Sequence, residues 1–119
     1  MNFINRVVKW NNERYKQEPN GELTADLLFD EIVEYKDAIY GAEVDQLDAL
    51  VDIIYVAIGG MWKMGLTPSQ INLAIQIVCN SNDTKSVEKT DSNVKANIDK
   101  GIEFVAPEPK LQIILDNRL

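Results

Sequence analysis

The stretch that follows Asp52 constrains the fold more than any other part of the chain. It reads IIYVAIGGMW, and its apolar side chains point in every direction around a helix. A helix of this kind must be buried on most sides, so we predict a central helix over residues 43–64. The pair Gly59 and Gly60 costs a helix about 1 kcal/mol per residue relative to alanine. That cost predicts neighbouring helices that approach the pair closely.

Apolar side chains recur at helical spacing in the flanking segments as well. They predict a first helix over residues 2–17, a second over 23–40 that ends at Gly41, and a short last helix over 110–117. Gly65 ends the central helix, and Thr67 and Gln70 form a capping box that begins a fourth helix. The inward side chains are predicted to be Leu27, Leu28, Ile32, Val33 and Ile39 in the second helix and Ile71, Ala74, Ile75 and Val78 in the fourth.

The remaining segment, residues 80–100, is polar and is predicted to be a loop, which is long for a compact domain. No repeat or composition shift marks a domain boundary. The sequence therefore predicts an all-α fold of four to five helices, with residues 1–119 forming a single domain.

Composition limits the partners that such a chain can bind. The formal net charge is −7, so the chain is poorly suited to a nucleic acid polymer or to an anionic membrane surface. The chain has no histidine, so a metal site must use oxygen ligands, which suit Mg²⁺, Mn²⁺ or Ca²⁺. With a lone cysteine, Cys79, no stretch long enough to span a membrane and no recognisable signal peptide, we expect a cytoplasmic protein.

Carboxylates gather on the second and third helices. Glu31 and Glu34 share one face of the second helix, and Asp48 and Asp52 share one face of the third. A short turn near Gly41 makes the two helices antiparallel. Counting from this turn, Glu34 and Asp48 lie at similar depth and Glu31 and Asp52 lie one turn deeper. Carboxylates this close repel one another unless a cation is present, so we predict a metal site with these four ligands.

Asp52 also admits a purely structural interpretation. It lies in the helix predicted to be most buried, where an unpaired carboxylate costs several kcal/mol. No Lys or Arg lies between Val44 and Trp62. A counter-charge could come from Lys36, Arg14 or Arg6, in which case Asp52 would belong to a buried ion pair.

Two motifs give the chain a resemblance to a known superfamily. Asp30-Glu31-Ile32-Val33-Glu34 and Asp48-Ala49-Leu50-Val51-Asp52 resemble the EExxE and ExxD motifs of the all-α nucleoside triphosphate pyrophosphohydrolases. The second motif, the glycine pair and the run Asn80–Lys85 resemble the phosphoribosyl-ATP pyrophosphohydrolase-like branch of the MazG-like proteins. The resemblance implies a MazG-like helical bundle completed by dimerisation. It also implies Mg²⁺-dependent cleavage of a nucleoside triphosphate to a monophosphate and pyrophosphate.

The resemblance assigns roles to individual residues. Glu31, Glu34 and Asp52 match metal ligands of the family. Ala49 occupies the position where the motif has Glu, and the neighbouring Asp48 is expected to replace that ligand. We expect a carboxylate such as Asp30 or Glu31 to take the proton of the attacking water. The expected phosphate-binding residues are Asn82, Lys85 and Lys100.

Several alternatives remain open at this stage. The chain could be a non-catalytic nucleotide-binding or interaction module that kept the fold, because Ala49 departs from the motif. Trp10 could stack on a base or could be ordinary core or dimer packing. Mn²⁺ could substitute for Mg²⁺, and the expected assembly is a homodimer or a homotetramer.

Overall fold

A computed structural model describes residues 2–85 and 103–118 of the chain. These residues form five α-helices and no strand, which confirms the predicted all-α fold. The helices are α1 (Phe3–Arg14), α2 (Gly21–Ala38), α3 (Glu43–Lys63), α4 (Pro68–Asp83) and α5 (Glu108–Asp116). The chain divides into two compact units, one ending at Ile71 and the other beginning at Asn72. The single-domain organisation over residues 1–119 stays a prediction.

The first unit is organised around α3, which packs against both α1 and α2. Asn2 and Asn20 begin the helices α1 and α2, because their side-chain oxygens accept hydrogen bonds from the backbone N–H groups of Asn5 and Leu23. The buried apolar side chains of this unit are Ile4, Val7, Ala38, Ala49, Ile58, Trp62, Leu66 and Ile71.

The glycine pair allows these helices to approach closely, as predicted. A Cβ atom added to Gly60 would lie 2.7 Å from Cγ2 of Thr24 on α2, and one added to Gly59 would lie 3.0 Å from Oδ1 of Asn11 on α1. Both distances are shorter than ordinary van der Waals contact. Each glycine therefore makes room for a different neighbouring helix.

The turn between α3 and α4 also has the predicted form. Gly65 has a φ of 97°, a conformation that glycine adopts more readily than other residues. The backbone N–H of Thr67 donates to Oε1 of Gln70 at 2.9 Å, and the N–H of Gln70 donates to Oγ1 of Thr67 at 3.2 Å. This reciprocal pair is the predicted capping box.

The predicted inner faces of α2 and α3 are only partly correct. Leu27 and Leu28 are half-buried, whereas the predicted inward residues Ile32, Val33 and Ile39 are exposed. On α3, Ile54 is 54% exposed. The other residues of the segment 53–62 are buried or half-buried, so the prediction that this part of α3 is buried on most sides is confirmed.

The second unit contains most of α4 together with α5. Ile77 is buried there, while Ile75 and Val78, both predicted to point inward, are exposed. The face that packs runs through Ala74, Ile77 and Ser81, because helical spacing permits either three or four residues per step.

Residues 80–83 were predicted to belong to a loop, and this prediction is wrong. The helix α4 continues to Asp83, since Ser81 is buried and its carbonyl accepts a hydrogen bond from Oγ1 of Thr84 at 2.7 Å. Most of the remaining predicted loop, residues 86–100, lies outside the described residues. The last helix begins at Glu108, two residues earlier than predicted, because Pro109 is tolerated in the first turn.

Within residues 2–85 and 103–118, no single helix is long and apolar enough to cross a membrane. The bent pair of α3 and α4 is long and apolar enough when the two helices are counted together. This is weak evidence for a membrane span.

Candidate metal centre

Three carboxylates meet between α2 and α3 in the first unit. Glu31 and Glu34 come from successive turns of α2, and Asp52 comes from α3. One oxygen from each of the three side chains lies within 4.8 Å of the others. Glu31 and Asp52 are partly buried, while Glu34 is exposed. The structure thus brings together three of the four predicted metal ligands.

Glu31 is the most constrained member of the group. Its Oε2 atom is buried and has no hydrogen-bond partner in the part of the chain that the structure describes. Burial, a hydrogen bond shared with Glu34 and the negative charges of Glu34, Asp52 and Asp48 raise the pKa of Glu31 to about 7. A carboxylate in this position is costly to ionise without a compensating positive charge.

Asp52 responds to its surroundings in the same way. Burial, together with the charges of Asp48 and Glu34, raises the pKa of Asp52 above its ordinary value. The alternative of a buried ion pair with Lys36, Arg14 or Arg6 is not observed. The ion pairs of the described residues are Lys9 with Glu13 and Lys16 with Glu18, at 3.8 and 3.7 Å.

Asp48 and Ala49 differ in their surroundings. Asp48 is exposed and lies outside the group of three, although its charge raises the pKa values of both Glu31 and Asp52. Ala49 is only 2% exposed, so the position where the motif has Glu is occupied by a packed core residue. A fourth ligand from this turn of α3 would have to come from Asp48.

The other predicted site residues are Asp30, Asn82, Lys85 and Lys100. Asp30 is exposed and is not one of its members. Asn82 is exposed near the end of α4 in the second unit. Lys85 belongs to the same unit, where its ammonium group lies 6.0 Å from the ring centre of Phe104. Lys100 lies outside the described residues. The phosphate-binding roles of these three residues stay predictions.

A pocket of about 360 Å³ adjoins the carboxylates. Its lining includes Glu31 and Asp52, three aromatic side chains and Lys63, together with small, polar and aliphatic residues of α1, α2 and α3. Trp10, which is 39% exposed, also lines the pocket, so it is not an ordinary core residue in the chain taken alone. Sequence reasoning missed Lys63. The signal available was its spacing of four residues from Gly59, which places the two on one face of α3.

The three carboxylates fit a divalent cation of the oxygen-preferring kind. All candidate ligands are carboxylate oxygens, as Mg²⁺, Mn²⁺ and Ca²⁺ prefer. A cation would satisfy the unpartnered Oε2 atom of Glu31 and would remove the repulsion that raises the pKa values of Glu31 and Asp52. The described residues of the site therefore match the predicted metal centre in donor type and in spacing.

Comparison with known proteins supports the resemblance drawn from the two motifs. Residues 3–76 match the family described as phosphoribosyl-ATP pyrophosphohydrolase. The matched span contains α1, α2 and α3 and therefore every carboxylate of the candidate site. Searches of curated proteins and of solved structures returned no significant match. The match covers more than half of the chain, and the chain belongs to the phosphoribosyl-ATP pyrophosphohydrolase family, within the MazG-like all-α superfamily.

Proposed function

We propose that this protein is a Mg²⁺-dependent pyrophosphohydrolase that cleaves a ribo- or deoxynucleoside triphosphate to its monophosphate and pyrophosphate. The observation that carries the proposal is the group of three carboxylates with the unpartnered Oε2 atom of Glu31. Family membership supports a pyrophosphohydrolase activity in general. The substrate class and the metal are the parts that we add.

The proposed metal ligands are Glu31, Glu34, Asp52 and Asp48, with Mn²⁺ as a possible substitute for Mg²⁺. When bound, the cation would polarise the phosphate oxygens and neutralise the charge that develops during in-line displacement. The carboxylates of the chain hold their positions on two packed helices, so little reorganisation is needed at the moment of reaction.

Glu31 is our first candidate for the general base. A general base must lie within hydrogen-bond reach of the proton that it takes, and Glu31 belongs to the group of carboxylates that would hold the cation. Asp30, which is exposed, is the second candidate. Asn82, Lys85 and Lys100 are proposed to bind the phosphates. Because nucleoside triphosphates are abundant in the cytoplasm, we also place the protein there.

We further propose that two or more copies associate, as a homodimer or homotetramer. Large apolar side chains on one chain are left exposed on α2 and α3: Phe29, Ile32, Val33, Val44, Leu47, Leu50, Val51 and Ile54. Exposed apolar surface of this extent is unusual for a monomer. Sedimentation equilibrium should therefore give a mass of two or four chains, and a monomeric mass at micromolar concentration would contradict the proposal.

The first test is pyrophosphate release from a panel of ribo- and deoxynucleoside triphosphates with Mg²⁺. Asp52→Asn should lower the rate at least about 100-fold, because it removes a charged metal ligand while keeping the shape of the side chain. Asp45→Asn is the matched control, since Asp45 is exposed on the same helix and lies outside the group of three. Its rate should stay within about twofold of the unmodified protein.

The buried Ala49 favours one alternative, a nucleotide-binding module without turnover. The same experiment separates the two functions. If Mg²⁺ raises the melting temperature but no nucleotide in the panel releases pyrophosphate, the result points to a binding module or to a substrate outside the panel. An active Asp52→Asn protein would contradict both.

A further inference from the structure

The pocket beside the carboxylates extends along α3 from Asp52 to Lys63. These two residues are eleven positions apart, which corresponds to a rise of about 16 Å. The intervening residue Gly59 also lines the pocket, together with the Asn11 side chain that packs against it. A volume of about 360 Å³ is within the range of small-molecule binding sites. The pocket is therefore long enough to hold a ligand whose other end lies at the carboxylates.

Lys63 is a buried cation at the far part of this pocket. The residue is only 5% exposed. Its ammonium group lies 4.5 Å from the ring centre of Tyr15. Side chains on a helix lean towards its N-terminus, and Lys63 is one of the residues that line the pocket. Burial also lowers the pKa of Lys63.

The charge of a largely buried lysine is costly, and the ring face of Tyr15 offsets only part of that cost. The position of Lys63 in the last turn of α3 offers a weak favourable interaction with the helix dipole. That interaction does not require the ammonium group to point into a pocket. A ligand that brings hydrogen-bond acceptors to the ammonium group would satisfy it fully.

Three of the residues that line the pocket with Lys63 are aromatic, namely Trp10, Tyr15 and Tyr55. The rings of Trp10 and Tyr55 meet edge to face with centres 5.6 Å apart, and the rings of Trp10 and Tyr15 have centres 6.2 Å apart. The segment after Tyr15 is held against α3 because Nε2 of Gln17 donates a hydrogen bond to the carbonyl of Trp62 at 2.9 Å. The Arg14 guanidinium lies over the Trp10 ring, 4.4 Å from its centre, so a planar base would pack against the aromatic surface that Arg14 leaves uncovered.

We propose that Lys63 is a substrate-binding residue that selects bases with a carbonyl group, namely 6-oxopurines and 4-oxopyrimidines. This inference rests on the proposed function, which places the triphosphate at the carboxylates and leaves the base towards Lys63. Guanine offers O6 and N7 as acceptors, and thymine or uracil offers O4. Adenine and cytosine carry an amino donor at the corresponding position, which cannot accept a hydrogen bond from an ammonium group.

The test measures binding of the monophosphates dGMP, dTMP, dAMP and dCMP, with Mg²⁺ present, by quenching of tryptophan fluorescence, because the carboxylates would repel a phosphate group without a cation. We expect dGMP and dTMP to bind about tenfold more tightly than dAMP and dCMP. Lys63→Met keeps the length of the side chain but removes its donors, so the difference should fall to about twofold or less. Lys63→Arg keeps donors and should retain a preference for the same two nucleotides.

Lys9→Met is the matched control, because Lys9 is an exposed lysine whose ion pair with Glu13 is on the surface. It should leave the preference unchanged. If the unmodified protein binds all four monophosphates equally or not at all, the inference is wrong, whether or not Lys63→Met folds. It is also wrong if Lys63→Met weakens all four to the same extent, as a structural lysine would.

The same measurement distinguishes this inference from the proposed function. A base preference that depends on Lys63, without pyrophosphate release from any triphosphate, would support the inference and contradict the enzyme. Pyrophosphate release at equal kcat/KM for all four deoxynucleoside triphosphates, unchanged in Lys63→Met, would do the reverse.

Discussion

The contact between α2 and α3 has two regions with opposite character, one attractive and one repulsive. Near the C-terminus of α3, Gly60 lets Thr24 approach so closely that even a methyl group would not fit between them. Near the middle of α3, the carboxylate of Asp52 faces those of Glu31 and Glu34. The negative charges of these three groups repel one another. The first contact stabilises the folded chain by itself. The second destabilises the chain until a cation or a proton is present.

This difference indicates that the carboxylate group, and not the glycine contact, is the functional region of the α2–α3 pair. A repulsive group that is held in place by neighbouring packing is typical of a binding site, because the surrounding structure has to offset its cost. The glycine contact supplies part of that support, since it fixes α2 against α3 a few turns away from the carboxylates. Each of the following predictions changes either the carboxylate group or the glycine contact, but not both.

The largest effect that we expect in this comparison is that of Asp48→Asn on activity. Asp48 lies outside the group of three, but its charge acts on both Glu31 and Asp52. If it replaces the Glu expected at Ala49, its loss should lower the rate of pyrophosphate release about 100-fold and raise the Mg²⁺ concentration needed for half-maximal rate. Without Mg²⁺, the variant should melt at a higher temperature because one repelling charge is gone.

A rate within about twofold of the unmodified protein would show that three carboxylates are sufficient. Asp45→Asn again serves as the control, because it removes an exposed carboxylate from the same helix without changing the group of three.

A smaller effect is expected for the pH dependence of the metal-free protein. The pKa of Glu31 is raised from 4.5 to about 7 in the folded protein. The folded state therefore binds a proton more tightly than the unfolded state. Stability contributed by protonated Glu31 is fully present below pH 4.5 and is lost as the pH rises through 7. We expect the free energy of unfolding to fall by about 1–2 kcal/mol over this range.

Thermal melting between pH 5 and pH 8.5, with a chelator and then with Mg²⁺, measures this effect. Glu31→Gln should flatten the metal-free curve, while Asp26→Asn, an exposed change on the same helix, should not. The gain in melting temperature from Mg²⁺ should increase with pH, because the ligands must be deprotonated. A metal-free protein that becomes more stable between pH 5 and pH 7 would contradict the prediction.

The carboxylate group and the glycine contact differ in how much of each the sequence predicted. Features that depend on nearby residues were predictable, and features that depend on packing between distant helices were not. The meeting of Glu31, Glu34 and Asp52 follows from helical spacing and one short turn, so it was predictable. The close approach at the glycine pair was predictable from the propensity of glycine. Its partners, Asn11 and Thr24, were not, because they depend on how three helices pack.

The same reason explains the errors. Ile32 and Val33 are apolar and were assigned to the core, but a periodic pattern does not reveal whether an apolar face meets the same chain or another one. The end of α4 was missed because Asn80 and Ser81 have weak helix propensity, and the burial of Ser81 outweighs that preference. Lys63 was missed because its burial depends on Tyr15, which follows a different helix.

The smallest expected effect is that of Gly60→Ala on stability. Alanine favours the helix by about 1 kcal/mol relative to glycine, but its Cβ atom would lie 2.7 Å from Cγ2 of Thr24. Overpacking of this kind costs about 1–3 kcal/mol. We expect a net loss of about 1 kcal/mol, which corresponds to a fall in melting temperature of about 4 °C. Gly21→Ala is the control, because nothing lies within 4 Å of the added Cβ atom.

The double variant Gly60→Ala with Thr24→Ser distinguishes a local clash from a general weakening of α3. Serine lacks the Cγ2 atom but keeps the hydroxyl group that donates to the carbonyl of Asn20 at 3.2 Å. If the clash with Thr24 is the cause, the double variant should recover most of the lost stability, a coupling that two independent sites would not show. If Gly60→Ala alone is as stable as Gly21→Ala, the α2–α3 contact is looser than the structure indicates. The rigid support that we assign to the carboxylates would then have to come from elsewhere in the first unit.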